Sequence, residues 1–333
     1  MPRHLIACID GTWNSEPEHS QFFSGPTNVA RVSKLLISDG KRQRVLYAPG
    51  IGTGGYFDRI IGGTWGAGTM ARVRTVYRSL CESYEPGDQI ALFGFSRGAF
   101  AARAIAGLIG TVGLVRNDQL DHIEQAFSCY QNPKMLWGSE GQTFRDRHSY
   151  SVTVFFIGLW DTVIRHGPIL APVGWLIERA LSRRFGLVDQ RAGRHIRHVA
   201  HALALDEERS AFRPFRMTAS HPAQTVQELW FAGSHSDVGG GYQESRPSEF
   251  SLRWIIERAA QAGLMFHEMP RIHEDAYSAP LNPSRIRTWR LLPSRRRVLM
   301  ESDRIHESVH LRMRATSYRP VAKLPKTLLW AAA

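Results

Sequence analysis

Residues 88–106 read DQIALFGFSRGAFAARAIA, and this stretch decides the fold. A short apolar run, Ile90 to Phe93, stops at Gly94. Gly94-Phe95-Ser96-Arg97-Gly98 follows as G-x-S-x-G, then a small-residue helix carrying Ala99, Ala101, Ala102, Ala104 and Ala106. Strand, sharp turn and helix are the context a nucleophile elbow requires. A larger side chain two residues before or after the serine would collide with the neighbouring strand or helix, and glycine relieves that crowding. The helix would start under Ser96, with its positive dipole end toward any oxyanion formed there. The plain alternative is a Gly-Ser turn, since G-x-S-x-G alone occurs in many unrelated chains.

Outward from this stretch, strands alternate with helices. His4 to Ile9 reads as a strand ending in Asp10-Gly11-Thr12-Trp13-Asn14. Asn28 to Leu36 has helical spacing. Arg44 to Ala48 is a second strand, ending in the glycine loop Gly50 to Gly55, and Ala71 to Tyr84 a helix. Residues 118–148 read as a helical excursion. Val152 to Leu159 is a strong β run that stops at Trp160-Asp161-Thr162. Arg194 to Asp206 is expected to be a helix, Glu228 to Ala232 a strand, and Ser251 to Ala262 a helix. Beyond about residue 265 little periodicity is visible. The pattern predicts an α/β-hydrolase-like fold: a mainly parallel central sheet with flanking helices and the ligand site at the strand carboxyl ends. One domain, 1–333, is expected, with an inserted lid at 165–190.

Composition narrows the function. The 333 residues are 43% hydrophobic and 10% aromatic, which suits a large core. Cys8, Cys81 and Cys129 follow no C-x-x-C spacing, so neither a disulfide framework nor a cysteine zinc site is expected. The N-terminal apolar run is too short for a signal peptide, and no run is long enough to span a bilayer. The expectation is a soluble chain, cytoplasmic or exported by a route other than the general secretion signal. Net charge is +12, with arginines crowded at 183–197 and 285–297. No nucleic-acid motif accompanies them, and no nucleic-acid partner is expected. No cofactor or metal is expected, and the oligomeric state stays open.

A serine nucleophile needs a base, and the base needs a carboxylate to hold its tautomer. The hydrolase chain order is Ser, acid, His. Ser96, Asp161 and His235 fit it, each just after a strand. Asp161 could instead be a loop aspartate that accepts backbone N–H bonds. His306 also satisfies the order as a rival base, with Asp237 as its partner or as a residue that shapes its own loop. His195, His198 and His201 would spiral round the expected helix, which suits a metal poorly. The oxyanion hole is expected from the N–H of Arg97 and that of Gly11 or Thr12, with Gly50 to Gly55 as the competing loop. Asp10 would order the first loop or bind a cation. The 165–190 stretch, RHGPILAPVGWLIERALSRRFGLVDQ, carries Trp175 among apolar residues and Arg179, Arg183 and Arg184. It reads as a lid in peripheral contact with an anionic membrane, or as a packed core helix whose arginines face water.

DGTWN, PGIGTGG, GFSRGAFAARAIAGLIG, FIGLWDT, HALALDEERSAF and WFAGSHSDVGGGY, in this order, resemble the α/β-hydrolase domain of bacterial type VI secretion phospholipase effectors and their uncharacterised relatives. The blocks cover residues of about 5 to 245, and the later IHESVHLRM also resembles the family. The resemblance implies a lipase or phospholipase whose Ser, Asp and His fall here on Ser96, Asp161 and His235. The effectors are often longer, with a further membrane-docking region, whereas this chain is compact. The leading expectation is a serine ester hydrolase that works on lipid through an acyl-enzyme. The alternatives are an esterase or acyltransferase on small soluble esters, and a non-enzymatic nucleotide- or nucleic-acid-binding protein using Gly50 to Gly55. That loop lacks the G-K-[ST] of a P-loop.

Overall fold

Three strands with two apolar faces each set the centre of the molecule. A computed structural model describes residues 2–11, 25–50, 65–132, 139–163, 190–285, 290–291 and 293–330. Strands β1 (His4–Ile9), β3 (Gln89–Phe95) and β6 (Val154–Trp160) are buried almost throughout. Alternate residues point to opposite faces of a strand. Leu5, Ala7, Ile9, Ile90, Leu92, Ile157 and Leu159 therefore pack into one core. Ile6, Cys8, Ala91, Phe93, Phe156 and Trp160 pack into the other. A sheet covered on both faces explains why these strands read as unbroken apolar runs.

The main sheet has six parallel strands in the order β2 (Gln43–Ala48), β1, β3, β6, β7 (Ile196–Ala204) and β8 (Thr225–Phe231). β2 and β8 form the edges and are more exposed. Helices α2 (Trp65–Ser83), α3 (Arg97–Val112), α4 (Ile123–Gln131) and α5 (Ser139–His148) cover one face. Helices α1 (Asn28–Leu35) and α7 (Glu249–Gln261) cover the other. A two-residue antiparallel pair, β4 (Leu114–Val115) with β5 (Ser149–Tyr150), ties the end of α3 to the end of α5. The chain leaves β1 for β2 on one side, then returns to β3 on the other. That reversal opens a crevice at the carboxyl ends of β1 and β3, the usual ligand site in such sheets. Gly11 and Ser96 stand there.

One expectation is corrected. Residues 194–206 are not a helix: β7 (Ile196–Ala204) is a central strand paired in parallel with β6 and β8. Its alanines favour a helix in isolation. Their placement between two strands, with Ala200, Ala202 and Ala204 in one core and Ile196 and Val199 in the other, overrides that preference. The late chain is also more ordered than its pattern suggests. It forms α8 (Glu307–Ala315) and α9 (Lys326–Trp330). Leu299, Val309 and Ala322 close a third core over Leu203 and Trp230. Short α6 (His235–Gly239) follows β8. Among the described residues no helix is long and apolar enough to cross a membrane. The three cysteines are free and buried.

Candidate active site

Ser96 follows β3 and caps α3 with φ 57° and ψ −118°. A non-glycine residue at positive φ costs on the order of 1–3 kcal/mol and persists only where its surroundings impose it. Here the surroundings are explicit. The Ser96 N–H donates to Trp160 O at 3.0 Å, and the Phe100 N–H donates to Ser96 O at 3.2 Å. A Cβ on Gly94 would lie 2.5 Å from Gly98 O, and one on Gly98 would lie 2.0 Å from Ile9 O. Both flanking glycines are thus required by backbone contact. Arg97 opens α3, where the helix dipole is positive.

Asp161 follows β6, next to β3, and also holds positive φ, at 40°. It is fully buried. Its Oδ2 lies 2.6 Å from His235 Nδ1. Its Oδ1 accepts from the Ala204 N–H at 3.1 Å. Arg297 adds a bidentate clamp, Nη1 to Oδ1 at 2.6 Å and Nη2 to Oδ2 at 3.0 Å. Burial alone would raise the acid's pKa. Arg297 and His235 outweigh that and hold it well below the usual carboxylate range.

His235 opens α6, just past the β8 end. Its ring lies 4.6 Å from the ring of Phe95, the residue immediately before Ser96, and 5.1 Å edge-on from Phe212. Its backbone N–H reaches Glu207 Oε2 at 3.3 Å. Its buried Nε2 has no partner among the described residues. Burial lowers the imidazole pKa, against the opposing pull of Asp161. The ring is therefore held neutral, with one nitrogen tied to the acid and the other available.

The remaining candidates have other jobs. Asp237 accepts from Ser234 N at 2.9 Å and Ser234 Oγ at 3.0 Å, capping α6, and from Asn282 Nδ2 at 2.8 Å. Burial pushes its carboxyl up to about 6. It shapes its loop and does not partner His306. His306 caps α8, with Nδ1 2.8 Å from Ser308 Oγ and its ring stacked 4.7 Å from Phe231. Gly11 lies beside the serine: a Cβ there would be 3.7 Å from Ser96 Cβ. Its N–H, however, donates to Asp10 Oδ1 at 2.7 Å. Asp10 Oδ2 accepts from Thr27 Oγ1 at 2.7 Å and Tyr47 Oη at 2.8 Å, so this carboxylate orders the end of β1. Thr12, the 165–189 part of the expected lid and the glycine loop beyond Gly50 lie outside the described residues. His198 and His201 sit on β7, and His201 Nδ1 is 2.9 Å from Glu228 Oε1. Among the described residues no group of three or more His, Cys, Asp or Glu could hold a metal ion.

Sequence reasoning missed Arg297 and Glu207. The arginine was visible only as one of a crowded run, with no signal that it turns inward. Glu207 lies within HALALDEERSAF, where its side chain pairs with Arg209 at 2.7 Å.

A serine on a strained strand-to-helix turn of a doubly covered parallel sheet, with acid and histidine supplied after later strands, places the chain in the α/β-hydrolase class. Residues 3–258 match the family described as T6SS, Phospholipase effector Tle1-like, catalytic domain, and the chain belongs to that family. It is 28% identical over 244 residues to Uncharacterized protein YEL023C of Saccharomyces cerevisiae, covering 65% of this chain and 33% of that protein. The chain thus spans about a third of the length of the curated relative it matches. The Tle1 effector solved bound to the VgrG spike from the Type 6 secretion system is 21% identical, with a TM-score of 0.42, over 73% of this chain and 52% of that one. An uncharacterized protein from Pseudomonas aeruginosa is 18% identical, with a TM-score of 0.47, over 96% and 52%.

Proposed function

We propose that this chain is a serine ester hydrolase of the phospholipase or lipase kind, working through an acyl-enzyme. The observation that carries the reading is the 2.6 Å His235–Asp161 contact beside a strained Ser96. In this reading Ser96 Oγ attacks the ester carbonyl and His235 Nε2 takes its proton. Asp161 keeps the remaining proton on Nδ1 and stabilises the imidazolium. The Arg97 N–H receives the oxyanion, with the Thr12 N–H as the second donor, since the Gly11 N–H is committed to Asp10 Oδ1. His235 then protonates the leaving alcohol, and water, activated by the same imidazole, hydrolyses the acyl-serine. Family membership supports lipid as the substrate class and export by a type VI route.

A fluorophosphonate, which phosphonylates an activated serine, tests this reading. Peptide mapping is expected to place the label on Ser96. Ser96→Ala is expected to remain folded, to take no label and to lose on the order of 10⁴-fold or more in kcat toward phospholipid vesicles and short esters. Substantial hydrolysis by folded Ser96→Ala, or label on another residue, overturns the assignment. Hydrolysis of monomeric esters without vesicle turnover would replace lipid by a small soluble substrate.

A further inference from the structure

We propose that Arg297 is a positioning residue for this site: it fixes the Asp161 carboxylate against His235 and, by offsetting its charge, sets the pH at which His235 becomes a usable base. The inference rests on the Ser96, His235, Asp161 reading above. Arg297 itself lies beyond the family-matched residues 3–258.

A carboxylate offers about four lone-pair sites. Asp161 has four donors within 3.1 Å: His235 Nδ1, the Ala204 N–H, and Arg297 Nη1 and Nη2. Its orientation is therefore fully determined. The guanidinium is itself anchored, with Nη1 donating to Ala204 O at 2.7 Å and Nη2 to Phe212 O at 2.9 Å. These carbonyls lie at the end of β7 and in the segment that packs Phe212 on His235. One side chain thus ties the acid, a central strand and the wall behind the imidazole into a single unit. Lysine, with a point charge and no fork, does not reproduce that geometry.

The charge has a second effect. A buried carboxylate beside an imidazole favours the imidazolium, and a buried cation on the same carboxylate weakens that preference. Two ion pairs flank His235. Asp161 is matched by Arg297, and Glu207 by Arg209 at 2.7 Å. Asp237, on the same helix, is tied to Ser234 and Asn282, and Tyr242 Oη lies 3.4 Å from Ser234 Oγ. Removing Arg297 uncovers one negative charge next to the ring. His235 then holds its proton to higher pH, and less of it is available as base near neutrality.

The experiment uses Arg297→Gln, which keeps a donor but loses the charge, and Arg297→Lys, which keeps the charge but loses the fork. The His235 imidazole is titrated by NMR in the full chain carrying Ser96→Ala, so no turnover is needed. Arg297→Gln is expected to raise the titration midpoint by on the order of one pH unit. In the Ser96 enzyme it moves the acid limb of kcat/KM upward by the same amount. Arg297→Lys is expected to keep the midpoint while kcat falls on the order of 10- to 100-fold, because the acid is no longer held in one orientation. An unmoved midpoint in Arg297→Gln, with equal activity loss at every pH, overturns the proposal and leaves Arg297 a structural ion pair. If Arg297→Gln does not fold, Arg297→Lys decides. A wild-type limb with reduced kcat supports the proposal, and wild-type kcat overturns it. Failure of Ser96 to label would sink the hydrolase reading, whereas the NMR titration tests Arg297 either way.

Discussion

A Cβ on Gly98 would lie 2.0 Å from the carbonyl oxygen of Ile9, a distance no real side chain tolerates. The first turn of α3 is thus pressed against the end of β1, and this contact holds Ser96 over the crevice between β1 and β3. Gly98→Ala must push helix and strand apart. The expected outcome is a lower melting temperature and at least a hundredfold loss of ester hydrolysis, on the order of what an ångström of misplacement costs. Wild-type activity in a folded Gly98→Ala protein would show that the elbow is not where the serine is positioned.

The two rival histidines differ in what they touch. His235 meets Asp161 and Phe95, whereas His306 meets Ser308 and Phe231. His235→Ala is expected to fall to the activity floor of Ser96→Ala. His306→Ala is expected to keep most of its kcat and to melt lower, by about 1 kcal/mol for a lost helix cap. Steady-state kinetics beside thermal melts of both variants check this. The reverse ranking moves the base to His306.

His306 also gives an acid signature. Burial lowers its pKa from the ordinary imidazole value to about 4, against a small opposing pull from Glu257. A folded-state pKa below the unfolded one contributes stability above about 6.5 that is lost as pH falls through 4. His306→Gln removes the titration. The wild type is therefore expected to lose more stability than His306→Gln between pH 6.5 and 4, measured by urea denaturation across that window. Identical slopes would mean that the buried ring stays solvated enough to titrate normally.

What was readable in the sequence follows from what is local. Strand, turn and helix at 88–106 are neighbours along the chain, and the crowding that demands Gly94 and Gly98 arises among them and β1. The nearness of Asp161 to Ser96 follows from adjacent strands, and chain order sufficed to suggest it. β7 was misread because alanine suits a helix, and only its flanking strands dictate otherwise. Arg297 was invisible for another reason. It acts 136 residues away from Asp161, and nothing in the run Arg295-Arg296-Arg297 marks which arginine turns inward. Gly11 shows the same limit. Its place beside Ser96 was legible, but the commitment of its N–H to Asp10 was not.

Glu228 gives a second pH test, away from the serine. Burial would raise its pKa, but His201 and Arg216, at 2.9 and 2.6 Å, bring it down to about 2. The lowered value contributes stability above about 4.5 that is lost as pH falls toward 2. Glu228→Gln should therefore be less stable than wild type at pH 7, by roughly a few kcal/mol, with the gap closing toward pH 2. Because His201 Nε2 accepts from the Thr162 N–H at 3.1 Å, next to Asp161, a modest loss of kcat is also expected. Denaturation at pH 7 and pH 3 decides. A gap that stays constant with pH would mean that the network does not depend on the Glu228 charge.

The proposed action on lipid in a bilayer requires the chain to meet an interface. The expected lid lies outside the described residues, but another segment has the needed composition. Leu291, Val298 and Met300 are 86%, 62% and 58% exposed, among exposed Arg290, Arg295 and Arg296. From 296 to 300 the residues alternate, with Arg296, Val298 and Met300 outward and Arg297 and Leu299 inward. The inward arginine is the one on Asp161, so the outward face sits on the far side of a segment that touches the site. Apolar side chains flanked by arginines suit an anionic bilayer, where each cation near the surface contributes about 1 kcal/mol. Val298→Ser with Met300→Ser is expected to weaken binding to phosphatidylglycerol-containing vesicles roughly tenfold or more, since each buried apolar side chain contributes about 1.5–3 kcal/mol. Arg295→Gln with Arg296→Gln should remove most of the salt-sensitive part of that binding. Both pairs should leave short-ester kcat/KM and melting temperature unchanged, because none of the four side chains is buried. Vesicle sedimentation in the Ser96→Ala background reads binding without hydrolysis. Unchanged sedimentation in both double variants would remove this face from membrane contact, and self-association abolished by the same changes would assign it to a second copy of the chain.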